Sequence, residues 1–127
     1  MAIDRPKVVR DELVNTFGYT NVGAGDFTKV NADKAVLVMD DSGLAPTNIG
    51  DGTAKSVNFD GIRIVVRGNK HEQAETRQRA RNIMADLHQH DITNFVSLVK
   101  RGGIFPIGRD EEGRPQFEIN FLATIKE

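Results

Sequence analysis

Cysteine is missing altogether from the 127 residues. Its absence removes disulfides, thiolate nucleophiles and every cysteine-based zinc or iron–sulfur site. Tryptophan is missing too, and a single tyrosine stands beside seven phenylalanines. A stacking platform for single-stranded bases needs exposed aromatics next to basic side chains, and here the phenylalanines read as core. Long apolar runs are also lacking: residues 35–39 are typical of the longest, far short of the roughly 20 that a bilayer demands. The opening Met1-Ala2-Ile3-Asp4-Arg5-Pro6 has neither an apolar stretch nor a small-residue cleavage site, so no secretory leader is expected and assembly in cytoplasm is the default. A formal net charge of -1 offers no global field toward nucleic acid or anionic lipid, although a local basic patch remains compatible with it.

What is present suits one domain. A chain of this length buries roughly two-thirds of its unfolded surface, and 39% hydrophobic with 28% charged residues is ordinary for a globular protein. Asp4 and Pro6 open a segment in which Val9, Leu13 and Phe17 recur at four-residue spacing until Gly18, which predicts a short amphipathic helix. Residues 19–34 read as a polar loop with a short extended piece near 27–30. Residues 35–39 read as a strand buried on both faces.

A second long polar connection, 40–58, carries Gly43, Pro46, Gly50 and Gly52, and connections of that length in a small domain are usually functional or disordered. Residues 59–67 alternate, with Ile62, Ile64 and Val66 opposite Arg63, Val65 and Arg67, predicting a strand with one wet, basic face. Asn69 with Glu72 forms a capping-box pattern ahead of a helix running to about residue 88. Its apolar stripe is Thr76, Ala80, Ile83, Met84 and Leu87. Strands follow at 95–100, 104–110 and 115–126, the last two joined as a hairpin through a type I turn with Gly113 in the left-handed conformation.

The order α-β-β-α-β-β-β predicts an α+β domain: a mainly antiparallel, mixed sheet of about five strands with two helices packed on one face. The opposite face, partly polar and arginine-bearing, is expected to be free. Sheet edges and a semi-polar open face must be guarded or used to meet a neighbour.

Catalytic constellations are thin. Asp40 and Asp41 follow a buried strand, where a divalent metal could be held, but no other acid or histidine completes a site and adjacent acids are common turn formers. His88 and His90 point about 200° apart on a helix and cannot ligate jointly unless it has ended. No nucleophile–base–orienter set can be assembled with His71. Gly23-Ala24-Gly25-Asp26 lacks the Lys-Ser/Thr of a phosphate loop. Arg63, Arg67, Arg109 and Arg114 could point outward, as interface arginines do or as a merely solvated face does.

The run Pro106-Ile107-Gly108-Arg109-Asp110-Glu111-Glu112-Gly113-Arg114-Pro115-Gln116-Phe117-Glu118-Ile119-Asn120-Phe121 resembles the C-terminal signature of phage tail-terminator, or minor capsid, proteins. Upstream, Ile64-Val65-Val66-Arg67-Gly68 and a charged helix ending in Ala85-Asp86-Leu87-His88 are similar to that family's strand–helix unit. Residues 19–34 match nothing in it. The resemblance implies a non-enzymatic virion protein, without cofactor or metal, assembled in the host cytoplasm. It would form a homohexameric ring at the head-proximal end of a tail tube, stop tube growth and offer the surface for head–tail joining.

The partners implied are copies of itself, the tail tube protein and a head-completion or connector protein, with weak nonspecific contact to genome DNA in the lumen and no membrane. On this reading Arg63, Arg67, Arg109, Asp110 and Arg114 are subunit-interface candidates. Asp40, Asp41, Leu44, Pro46, Asn48, Asp51 and Lys55 are candidates for a loop that reaches the tube. Three alternatives stay open: a head-completion or other neck protein, a small metal-dependent enzyme using Asp40 and Asp41, and a DNA-contacting protein with its basic strand face turned toward phosphates.

Overall fold

The computed structural model describes residues 4–25, 33–40, 47–48, 57–92 and 95–126. Helix α1 spans Arg5–Asn15, and the short strand β1 spans Val22–Ala24. The strands β2 (Ala35–Asp40), β3 (Thr47–Asn48) and β4 (Val57–Arg67) precede helix α2 (Gln73–Leu87). β5 (Phe95–Lys100), β6 (Phe105–Arg109) and β7 (Pro115–Lys126) complete the chain order. Among the described residues no helix is long and apolar enough to cross a membrane.

All seven strands join one sheet, in the order β1-β2-β4-β7-β5. β4 and β7 form its spine, antiparallel from Val57↔Lys126 to Arg67↔Gln116. Each long strand serves two shorter ones on its outer side: β2 and β3 pair with β4, while β5 and β6 pair with β7. Among the described strands only β1 with β2 is parallel. The expected α+β, mainly antiparallel architecture is present, with the short strands β1 and β3 added inside the two stretches read as loops.

Period-two alternation decides the layering, because alternate side chains leave a strand on opposite faces. Val36 and Val38 of β2, Ile62, Ile64 and Val66 of β4, and Phe117, Ile119, Phe121 and Ala123 of β7 all project to one face and are buried. Val9 and Leu13 of α1 and Ala80, Ile83 and Leu87 of α2 cover that face in the same core. Both helices therefore lie on one side. Each fully buried aliphatic or aromatic side chain there contributes about 2 kcal/mol.

The helix ends follow local chemistry. Asp4 caps α1, its carboxylate accepting from the Lys7 N–H at 3.3 Å, and Pro6 sits where a missing N–H costs nothing. At the other end Gly18 takes φ 77° and turns the chain so that Tyr19 N–H reaches the Leu13 carbonyl at 3.0 Å. Helix α2 begins later than the capping-box pattern predicts. Glu72, not Asn69, is its N-cap, because residues 69–72 form a turn closed by Glu72 N–H to Asn69 O at 3.0 Å. The Asn69 and Glu72 side chains still meet; that hydrogen bond, ahead of Lys34, holds the Glu72 carboxyl below its usual range.

The second face is not the open one expected. Leu37 and Val65 stand opposite each other across the β2–β4 ladder and are each only 3% exposed. Arg67, read as wet, is 4% exposed. Toward the β7 side this face becomes polar: Arg63 Nε lies 3.0 Å from Glu118 Oε1, and Asn120 donates to the same carboxylate at 3.3 Å.

Candidate functional surface

No nucleophile or metal cluster organises the described residues; no group of three His, Asp or Glu side chains there could hold a metal ion. Asp40, at the end of β2, is exposed. Asp41, Leu44, Pro46, Asp51 and Lys55 lie outside the described residues, and Asn48 is placed only through its backbone, as the end of β3. His90, which the sequence reading weighed only together with His88 as a metal ligand, bonds Glu12 Oε2 at 2.6 Å and packs tilted against Phe17 at 4.8 Å between ring centroids. It fastens the C-terminal end of α2 to α1, as does the 2.6 Å hydrogen bond from Tyr19 to Asp86.

The hairpin between β6 and β7 is built as a rigid corner. Gly113 takes φ 80°, a conformation that costs other residues about 1 kcal/mol or more. Its N–H donates to the Asp110 carbonyl at 2.9 Å, closing the type I turn with its left-handed glycine. The Asp110 carboxylate accepts from the Glu112 N–H at 3.0 Å, the Arg114 N–H at 2.9 Å and Arg114 Nε at 2.7 Å. Burial alone pushes the Asp110 pKa up, but these bonds and the neighbouring guanidinium outweigh it and hold the group below its ordinary value.

Arg114 also reaches Asp33 at 3.3 Å and Glu112 at 3.2 Å. Arg109 donates to the Lys70 carbonyl at 2.7 Å, the Gly113 carbonyl at 2.6 Å and Gln73 Oε1 at 3.2 Å, tying the corner to the start of α2.

Each of the five interface candidates named from sequence therefore has a partner within the subunit. Asp110 and Arg114 are committed to the turn, Arg109 clamps the hairpin to α2, and Arg63 pairs with Glu118 across strands. Buried Arg67 donates from Nε to the Asp33 carbonyl at 3.3 Å. Its pKa is lowered by burial first and then by Arg114.

A different surface emerges along the outer side of β7. β5 and β6 lie end to end there, and their far sides meet no other described strand. β6 is exposed at every residue. Four large apolar side chains stand on this edge in the open: Val96 at 54%, Val99 at 36%, Phe105 at 47% and Ile107 at 45%. Singly exposed apolar residues are commonplace, whereas these four lie along one edge.

Both strands are also blunted against further strand pairing. The register shifts between Phe95 and Ser97 and again between Pro106 and Gly108, and Pro106 has no N–H to give. What this edge offers outward is therefore mainly side chains and not a regular ladder. Sequence reading missed these four residues, although Pro106 within an apolar run is itself a sign of an edge strand.

A shallow concavity of about 490 Å³ lies on the outer face of α2, lined among the described residues by Gln73, Ala74, Arg77, Gln78 and Arg81. Its two arginines stand one helical turn apart.

The described residues form an open α+β sheet with one helical layer and an apolar edge that pairs with no other described strand. Compared with known proteins, it is similar in structure to a chain of the virion of a native gene transfer agent particle. The TM-score is 0.64 over 91% of this chain and 84% of that one, at 16% sequence identity. No model of a known protein family and no curated protein sequence matches. At that identity the likeness is one of fold.

Proposed function

We propose that the chain is a structural protein of a phage-like virion, acting without catalysis as a ring of six copies that closes the head-proximal end of a tail tube. The observation that carries this reading is the likeness of fold, over nearly the whole of both chains, to a component of a gene transfer agent virion. The exposed apolar edge supports it, since a subunit that works alone has little reason to leave Val96, Val99, Phe105 and Ile107 in water. So does the tail-terminator signature around residues 106–121.

In this reading the ring occupies the surface on which the next tube ring would dock and presents its far side to the head-completion or connector protein. Ring closure multiplies a modest contact, because once one copy is held its neighbours bind at high effective concentration. Segment 40–58 reaches the tube, through Asp40, Asp41, Leu44, Pro46, Asn48, Asp51 and Lys55. Arg77 and Arg81 supply weak, salt-sensitive contact to genome DNA passing the lumen. The protein resides in the virion after assembly in the host cytoplasm.

The test is electron microscopy of particles made with the chain deleted of residues 50–55, beside particles lacking the chain altogether. Overlong, headless tails without the chain, and abnormal tail length or joining with the deletion, are expected. Normal tails without it refute the reading, and normal tails with the deletion refute the role of the segment.

A further inference from the structure

Helix α2 ends in a joint that seals part of β5. Leu87 and Ile92 are both buried and fix the two ends of the segment between them. Inside it the His88 N–H still donates to the Met84 carbonyl at 3.0 Å, and the His90 N–H to the Leu87 carbonyl at 3.1 Å. Gln89 takes φ 60°, a left-handed conformation that a residue with a side chain keeps only where its surroundings hold it.

What holds it is β5. The backbone polar groups of alternate residues in a strand point to opposite sides. The Arg101 N–H donates to the Asn120 carbonyl of β7 at 2.7 Å, so Lys100 and Leu98 turn theirs away from β7. The Leu98 carbonyl accepts from the Gln89 N–H at 2.7 Å, and the Lys100 N–H donates to His88 Nδ1 at 3.1 Å. A backbone donor and a ring nitrogen thus satisfy two outward groups of the strand.

The two histidines of this joint answer a proton in opposite ways. A backbone N–H can only donate, so His88 Nδ1 carries its lone pair and the hydrogen of the neutral ring sits on Nε2. A second proton would land on Nδ1 and leave the Lys100 N–H facing another N–H. His90 differs, because its Nε2 lies 2.6 Å from Glu12 Oε2. An ionised carboxylate only accepts, so that nitrogen donates in either charge state, and a proton gained at Nδ1 turns the bond into an ion pair.

The charged groups of the elements that meet here are Glu12 on α1, Asp86 and Asp91 on either side of the joint, and Lys100 and Arg101 at the end of β5. Tyr19 engages Asp86, and His90 engages Glu12. Among the described residues no carboxylate bonds His88, and the residue that it does bond is cationic, as is the one after it.

We propose that His88 is a proton-operated latch between α2 and β5. Neutral, it holds the Lys100 N–H; protonated, it lets go, while His90 tightens on Glu12. In mild acid the end of α2 therefore stays fastened to α1 and β5 is loosened. The inference goes beyond the ring reading and does not rest on it.

An ordinary histidine changes charge between about pH 8 and about pH 5, and the test is nuclear magnetic resonance of the whole isotope-labelled chain across that interval. At the upper end His88 should be the Nε2–H tautomer, with a scalar coupling across the hydrogen bond from its Nδ1 to the Lys100 amide. At the lower end the coupling should vanish. Protection of the Lys100 amide against hydrogen exchange, corrected for the intrinsic rate at each pH, should fall about tenfold, as for one ordinary hydrogen bond. The Arg101 amide, bonded to β7, should keep its protection. His88→Asn supplies an acceptor that does not titrate and should remove the response, whereas His90→Gln should preserve it.

A His88 ring that stays neutral over the whole interval, or that carries its neutral-state hydrogen on Nδ1, overturns the proposal. So does a Lys100 amide that keeps its protection while the His88 ring gains its proton, or a response that persists in His88→Asn. An equal fall at Arg101 overturns it as well, since β5 would then be leaving β7 and not the latch.

Discussion

Replacing Gly68 by alanine puts a methyl group into the place where α2 docks on the end of β4. A Cβ there would lie 2.8 Å from the Thr76 Cβ and closer still to its hydroxyl. Thr76 is 3% exposed, and its hydroxyl donates to the Glu72 carbonyl at 2.6 Å, so it cannot swing aside freely. Gly68 is held as well, by its N–H to the Pro115 carbonyl at 3.1 Å, and Arg79 donates to the Arg67 carbonyl at 3.3 Å beside it. Overpacking of this kind costs about 1–3 kcal/mol, and loss of the threonine hydrogen bond adds about 1 kcal/mol.

Gly68→Ala should therefore lose about 2–4 kcal/mol, a fall in Tm of roughly 10 °C for a domain of this size. The assay is a double-mutant cycle by urea unfolding with Thr76→Ala, which removes the hydroxyl and the methyl nearest the new Cβ. The pair should be more stable than Gly68→Ala alone by at least about 1 kcal/mol. A loss under about 0.5 kcal/mol in the single variant, or strictly additive losses in the pair, would refute the packing argument.

Asp110→Asn keeps the shape of the turn but weakens its bonds to Arg114 and should cost about 1–2 kcal/mol in thermal unfolding. Because the folded Asp110 pKa lies below its unfolded value, the carboxylate's contribution is complete above about pH 4 and is lost as pH falls through the folded pKa. The variant should therefore flatten the acid limb of a stability–pH curve, and an unchanged limb would contradict the assignment. Tyr19→Phe, read by chemical denaturation, should cost about 1 kcal/mol through the lost bond to Asp86. The pair Val99→Asp and Phe105→Asp should leave monomer unfolding within about 0.5 kcal/mol of the parent, since both side chains are partly in water already, yet lower the mass of any assembly; retained assembly would count against the edge as a contact.

The elements with strict periodicity were legible in the sequence. β5 and β7 lie at their expected boundaries, and the hairpin turn was specified by Gly113, because a left-handed residue after a two-residue acidic turn leaves few alternatives. The start of α2 was displaced because the Asn69–Glu72 pattern closes a turn as readily as it caps a helix. β1 and β3 escaped notice, being three and two residues long, too short for any alternation to develop.

The candidate surface was legible only in outline. The sequence reading named arginines as interface candidates, and the exposed apolar residues of β5 and β6 went unnoticed. Interface and intramolecular roles ask for the same guanidinium chemistry, and only the distances to Asp110, Glu118, Gln73 and the Lys70 carbonyl separate them. A charge swap at Arg109 and Asp110 would thus dismantle the hairpin before it tested any contact between subunits.

The spine of the sheet has a kinetic side. Every rung between β4 and β7 joins residues separated by the whole of α2, β5 and β6, so the loop-closure entropy must be met before the rungs return anything. Chains dominated by such distant pairings fold in milliseconds to seconds, not microseconds. A nascent copy is therefore expected to spend that interval with β7 unsheltered, and overproduction at high temperature should yield aggregate in proportion to the rate of synthesis.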